Sequence, residues 1–270
     1  MSETDPLDVP VEIGFDPTTN VVKTEASSDG ESMMTDHERI KKALMLNLEN
    51  DRINRFYNEW SEDYDADVTD ERYAGPITIA DMAARLYPTA TSSDKTHPET
   101  VDTARVLDAG CGTGLVGVAL HQVGFRRLTG VDLSQNMVDL AARTNVYETL
   151  CGDIDLTQNI STQVSTATGL PTEQSDQFDL TVCVGVFTLG HVPVNVLDSL
   201  LSITRPGGLV LATVREEYYE AHGFEAHCDA LIAAGDATHI ESTWGRYVSE
   251  DHALYVALRA AGQPGGLRGI

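Results

Sequence analysis

The chain has 270 residues, enough for one substantial domain with its own core and a lid or tail. Its 41% hydrophobic content places it well outside the regime of wholly disordered chains. With 18 Lys and Arg against 42 Asp and Glu, the formal charge of -24 would repel a phosphate backbone, and no basic cluster offsets it; nucleic acid is therefore not an expected partner.

Residues 1–34 are rich in Asp, Glu, Ser and Thr, are broken by Pro6, Pro10 and Pro17, and have no sustained period. They read as a disordered acidic leader. From Thr35 to Tyr64 apolar residues recur at helical spacing and end in the aromatics Phe56, Tyr57, Trp60 and Tyr64, which predicts one or two amphipathic helices. A second helical pattern follows Pro76, over Ile77–Leu86, and Tyr87–Thr100 reads as a loop. Residues 35–100 are thus expected to form N-terminal helices and a linker, acting as a lid over a core at 101–270.

After Val101 short β-rich runs alternate with helical ones. Strands are expected at Arg105–Asp108, Arg127–Asp132, Thr149–Gly152, Phe178–Val184, Gly208–Val214 and Ala253–Leu258. That alternation predicts βαβ units and a doubly wound, mostly parallel α/β sheet. No run approaches the roughly 18 apolar residues of a membrane span, and the N-terminus lacks a targeting pattern, so a soluble cytoplasmic protein is expected. The four cysteines form no Cys-x-x-Cys pair, so reduced thiols and no metal site are expected.

The most specific segment is Arg105-Val-Leu-Asp-Ala-Gly-Cys-Gly-Thr-Gly-Leu-Val-Gly117. A strand ends near Asp108, a turn carries Gly110, Gly112 and Gly114, and a helix opens at Leu115. Glycines there let the backbone turn sharply and approach a ligand. Gly112-x-Gly114-x-x-Gly117 also fits a dinucleotide fingerprint. Charge separates the two: a pyrophosphate would sit poorly beside Asp108, whereas S-adenosylmethionine carries an ammonium and a sulfonium that a carboxylate stabilises. Asp132, 22 residues after Gly110, ends the second strand, where an acid can accept both ribose hydroxyls. Capping the helix that begins near Ser134 is its other reading. Asp153 and Ile154 follow the third strand, placed to hold the amino group and face of an adenine.

Val-Leu-Asp-Ala-Gly-Cys-Gly-Thr-Gly, Gly-Val-Asp-Leu-Ser, Gly-Asp-Ile, Phe178-Asp-Leu and Arg205-Pro-Gly-Gly208 resemble the successive motifs of class I S-adenosylmethionine-dependent methyltransferases, in order. The resemblance implies a seven-stranded Rossmann-like sheet with its last strand antiparallel. It implies that Asp108, Gly110, Cys111, Gly112 and Gly114 line the methionine part of the cofactor, that Asp132 holds the ribose and Asp153 with Ile154 the adenine, that Val184 and Gly185 flank the sulfonium, and that Leu133 is a further cofactor contact. Phe56-Tyr-Asn-Glu-Trp-Ser-Glu-Asp-Tyr-Asp65 and Arg72-Tyr-Ala-Gly-Pro76 are similar to the methyltransferase-like proteins named for the Williams-Beuren syndrome region, which implies that Tyr64 closes over the cofactor.

Methyl transfer from a sulfonium is an in-line displacement that needs alignment and exclusion of water, with a dedicated base optional. The run Val184-Gly-Val-Phe-Thr-Leu-Gly-His191 is apolar where nucleic-acid amino methylases carry Asn/Asp-Pro-Pro-Tyr, pointing to a small-molecule acceptor. His191 is the titratable residue just past the fourth strand and a candidate base, with a structural role as the alternative. His121, inside the first helix pattern of the core, reads as a surface or packing residue. Tyr218, Tyr219, His222 and His227 follow the fifth strand as further acceptor-pocket candidates. A non-catalytic S-adenosylmethionine-binding regulatory protein, or an aminopropyl transferase using the decarboxylated cofactor, would keep the same glycine turn and ribose acid.

Overall fold

A computed structural model describes residues 50–59, 73–87, 100–168 and 178–261, all within the compact unit Thr35–Ile270. Seven strands form one sheet: β1 (Arg105–Ala109), β2 (Arg127–Val131), β3 (Thr149–Cys151), β4 (Phe178–Phe187), β5 (Thr204–Arg215), β6 (Ala237–Val248) and β7 (Asp251–Ala260). Their order is β3-β2-β1-β4-β5-β7-β6. The first five pair in parallel, and β7 runs antiparallel to both β5 and β6. The helices, in chain order, are α1 (50–59), α2 (Gly75–Leu86), α3 (Leu115–Gln122), α4 (Gln135–Arg143), α5 (Ile160–Thr168), α6 (Val196–Ile203), α7 (Glu216–His222) and α8 (Phe224–Ala234).

The central strands are apolar at nearly every position because both sheet faces are covered. Successive side chains alternate between two cores. Val106, Leu180, Val182, Leu211 and Tyr255 pack against α2 and α3, while Leu107, Cys183, Val210, Ala212 and Val256 pack against α5, α6, α7 and α8. This is the doubly wound layering expected from the sequence.

Strand β6 was not expected. It is the sheet edge, largely exposed from Thr238 to Arg246, and its polar Thr, His, Glu and Ser residues carry no clear apolar period. The Gly75-Pro76 pair is fixed in place. Both residues are buried in the first turn of α2, the Ala74 N–H donates to the Tyr247 carbonyl at 2.8 Å, and a Cβ on Gly75 would lie 2.7 Å from the Tyr73 ring.

The strand order reverses between β1 and β4. Doubly wound sheets bind ligands in the crevice that opens there, outside the carboxyl ends of the strands.

Candidate functional site

A cleft occupies that crevice. Gly110 and Gly112 line it from the turn after β1, Asp132, Leu133 and Ser134 from the end of β2, Ile154 to Thr157 from the end of β3, and Val184 to Val186, His191 and Val192 from β4 and the loop beyond. Helix α1 covers it through Asn50, Ile53, Asn54 and Tyr57. The empty space, including the open mouth, is about 760 Å³, within the range of nucleoside-sized ligand sites.

The glycine turn is built by backbone conformations that side chains disfavour. Gly110, Gly112 and Gly114 have φ of 79°, 53° and 96°. The Gly110 and Cys111 N–H groups both donate to the Val131 carbonyl, at 2.8 and 3.0 Å, which ties the turn to β2. A Cβ on Gly112 would meet nothing within 4 Å, so its backbone faces open space. Its N–H donates to Asp132 Oδ2 at 2.8 Å, and Asp132 Oδ1 accepts from the Ser134 N–H at 2.8 Å. A carboxylate offers about four lone-pair directions, so Asp132 has acceptor capacity beyond these backbone donors. Burial raises the Asp132 pKa, and these backbone donors oppose the rise. Ser134 itself caps α4, its hydroxyl accepting from the Met137 N–H at 3.2 Å.

Asp108 lies fully buried beneath the turn. Its Oδ2 accepts from the Tyr147 hydroxyl at 2.7 Å, and its Oδ1 takes no hydrogen bond among the described residues. Burial pushes its pKa up to about 7, with Asp132 adding to the rise and Tyr147 opposing it. The Tyr147 ring fits between β2 and α3 only because Gly117 and Gly130 have no side chain there: a Cβ would approach it to 2.2 Å at Gly117 and 2.9 Å at Gly130. Gly117, the third glycine of the dinucleotide-like spacing, thus makes room for the tyrosine that holds Asp108.

Of the residues expected from the sequence, Gly110, Gly112, Asp132, Leu133, Ile154, Val184, Gly185 and His191 meet at the cleft. Asp108, Cys111 and Gly114 stand behind its wall: Cys111 is buried with Val138 and Ala141, and Gly114 begins α3. Asp153 is not among the lining residues. Its backbone has φ 56°, and its side chain is exposed. The acid that reaches the cleft from this loop is Asp155, which accepts from Thr157 N at 2.8 Å, Thr157 Oγ1 at 2.6 Å and Asn50 Nδ2 at 2.6 Å.

Tyr64 and the segments 35–49 and 60–72 of the expected lid lie outside the described residues. Tyr218, Tyr219, His222 and His227 do not line the cleft. Tyr218 is buried and donates to the Val192 carbonyl at 2.9 Å, and His227 pairs with Asp198 at 2.6 Å. His121 is half-buried at the end of α3, away from the cleft. Asp179 and Arg205, both in the motifs quoted above, form a nearly buried ion pair at the opposite end of the sheet, where Asp179 Oδ2 also accepts from Arg105 N at 2.8 Å. Their part is structural.

Sequence reading did not single out α1 residues as partners of particular loops. Asn50 reaches Asp155, Tyr57 reaches His191 at 2.9 Å, and the Asn58 carbonyl oxygen of the side chain accepts from Ser134 Oγ at 2.5 Å. The helix is therefore fastened by polar contacts to the loops after β3, β4 and β2.

The fit of this site to S-adenosylmethionine rests on three observations: an open glycine backbone, a carboxylate with free lone pairs at the β2 tip, and an orphaned buried carboxylate oxygen suited to a cation nearby. The comparisons agree. Residues 106–208 match the family model described as a methyltransferase domain. Methyltransferase-like protein 27 of Homo sapiens is 34% identical over 185 residues, which cover 67% of this chain and 66% of that protein. A ubiquinone biosynthesis O-methyltransferase of Xanthomonas axonopodis pv. citri is 26% identical over 186 residues, with coverages of 67% and 66%. The chain thus spans just under two thirds of the length of these relatives. In fold it is similar to a Haloferax volcanii structure described as a complex between the Trm112 methyltransferase activator and the putative methyltransferase, with a TM-score of 0.52, 17% identity, and coverage of 76% of this chain and 98% of that one.

Proposed function

Because the chain belongs to the class I S-adenosylmethionine-dependent methyltransferases, we propose that it methylates a small organic acceptor held in the cleft beneath α1. The observation that carries this reading is Asp132, fixed by the Gly112 and Ser134 N–H groups at the cleft wall with lone pairs to spare. In the proposal these accept the ribose hydroxyls. The backbone of Gly110 and Gly112 cradles the amino-acid part, with Cys111 and Gly114 shaping the turn from behind, and Asp108 supplies negative charge there. Leu133 and Ile154 offer apolar contact to the base, and Val184 with Gly185 form the floor beside the reacting centre. When bound, the cofactor supplies an electrophilic methyl group on a sulfonium.

The protein's own contribution is alignment and exclusion of water. Helix α1 is suited to the second task, since Ile53 and Phe56 are buried and its polar residues grip three loops around the cleft. A small acceptor is supported by the charge of -24, which disfavours polyanions, and by the apolar lining from Ile53, Val186 and Val192. Among the described residues no helix is long and apolar enough to cross a membrane. Three of the four cysteines are buried and all are unpaired, which supports a reducing, cytoplasmic setting.

Calorimetry with S-adenosylmethionine, S-adenosylhomocysteine and NAD tests the cofactor assignment. Heat from the first two and none from NAD is expected, and binding of NAD alone would overturn it. Methyl transfer screened on small-molecule extracts tests the rest: tight cofactor binding with no transfer would favour a regulatory protein.

A further inference from the structure

We propose that His191 is the proton acceptor of this site, positioned by Tyr57, and that the methyl acceptor is a hydroxyl compound methylated on oxygen. The proposal rests on the methyl-transfer reading above and adds the acceptor's chemical class. His191 enters the cleft because the chain turns sharply after β4: Gly190 has φ 78°, and the His191 N–H donates to the Thr188 carbonyl at 3.3 Å. The imidazole is nearly buried, with both ring nitrogens engaged. Nδ1 lies 3.0 Å from the Leu189 carbonyl, which can only accept, so Nδ1 carries the hydrogen. Burial lowers the pKa of the ring, the Leu189 carbonyl opposes the fall and Arg215 adds to it, which favours the neutral ring with Nε2 as its acceptor. The Tyr57 hydroxyl, 2.9 Å away, donates to it. The two rings meet edge-on, with centroids 5.7 Å apart.

Its Nε2 is met not by its own loop but by a residue of the covering helix that also lines the cleft, 134 positions away in sequence. The surrounding charges select the acceptor. An amine would arrive as a cation and need a carboxylate, yet of the two acids lining the cleft Asp132 is committed to the ribose in the reading above and Asp155 is held by Thr157 and Asn50. A hydroxyl acceptor arrives neutral, needs no carboxylate partner, and meets in Nε2 of the imidazole the acceptor that its proton requires.

In the step itself the acceptor hydroxyl replaces the Tyr57 hydroxyl on Nε2. Its proton passes to Nε2 while its oxygen forms the new O–C bond. The S–C bond breaks with its electron pair left on sulfur, giving S-adenosylhomocysteine, and the proton then leaves the imidazolium to water.

The test uses the full chain with para-substituted phenols of graded acidity as probe acceptors. For the least acidic phenols, His191→Asn should lower kcat by about 10²- to 10⁴-fold with KM little changed. The loss should shrink toward none for 4-nitrophenol in alkaline buffer, where the acceptor is already ionised. Tyr57→Phe, which loses the contact that holds the ring before the acceptor arrives, should give a smaller loss of the same pattern, and both variants should still bind S-adenosylhomocysteine. Independently of turnover, ¹⁵N NMR of the ligand-free protein should show His191 with one protonated and one bare nitrogen, the bare one shifting in Tyr57→Phe. Equal losses across the phenol series, or a doubly protonated ring, would overturn the base assignment. Normal S-adenosylhomocysteine binding with no phenol methylated would overturn the hydroxyl acceptor and leave the cofactor reading standing, whereas absence of S-adenosylhomocysteine binding would remove that reading itself.

Discussion

Asp108 and Asp132 end adjacent strands but meet opposite environments. Asp132 is half-exposed at the cleft and stabilised by two backbone donors, so its replacement should act on binding: Asp132→Ala should weaken S-adenosylhomocysteine affinity by about 1.5–3 kcal/mol, the range for hydrogen bonds to a charged group, as measured by calorimetry. Asp108 is fully buried, and its pKa of about 7 in the folded protein exceeds that of an unfolded carboxylate. A folded state that holds a proton the unfolded state has lost is stabilised at low pH, and this contribution disappears as pH rises through the folded pKa. Without cofactor, Asp108 should therefore cost at most about 4 kcal/mol between roughly pH 4 and pH 7. Denaturation across that window should show a downward slope in the wild type that flattens in Asp108→Asn. Identical slopes would mean that Asp108 remains ionised in the free protein.

At the scale of elements, the motifs divide between the two ends of the sheet. The turn after β1 and the tip of β2 make the cleft, while Asp179 at the start of β4 and Arg205 at the start of β5 pin the far end. Because Asp179 is almost wholly buried, Asp179→Ala leaves Arg205 and the Arg105 N–H without their acceptor and should cost about 3–5 kcal/mol, with the cofactor affinity of the folded protein unchanged. Helix α1 differs in that, beside the buried Ile53 and Phe56, it is held by polar contacts that water can replace. Hydrogen exchange over residues 50–59 should slow when S-adenosylhomocysteine is bound if the helix is a lid; equal, strong protection in both states would mean a fixed wall. These elements also explain what could be read from sequence. Of the six anticipated strands, β1, β4, β5 and β7 carry buried, largely apolar runs and β2 and β3 are short strands that end in the quoted motifs, whereas β6 is a polar edge strand paired with β7. The cleft's glycine turn and Asp132 were legible because their chemistry is local to a strand end. Asp155 was not, because only the positive φ of Asp153 decides which acid of that loop faces inward. Nor was the Tyr57–His191 contact, since Tyr57 shares the helical spacing of Ile53 and Phe56, which are core residues.

Across the whole molecule the dominant long-range quantity is the formal charge of -24. Self-repulsion of that size opposes the compact state and is relieved by salt. Its distribution is uneven: half of the excess lies before residue 75, and residues 1–34 alone carry eight acidic residues against one lysine. Those residues have no apolar period with which to bury a face, while the described residues of the two cores, the glycine turn and the α1 contacts form a continuous set of their own. Deleting residues 1–34 should therefore leave the melting temperature in high salt and the affinity for S-adenosylhomocysteine unchanged. At low ionic strength, where the Debye length grows to about 30 Å, the shortened chain should melt higher than the full chain, because it has lost negative charge that nothing in the sheet compensates. Thermal melts of both chains over a sodium chloride series check this. A truncated protein that melts lower at every salt concentration would show that the segment packs on the domain and contributes apolar contact, contrary to its composition.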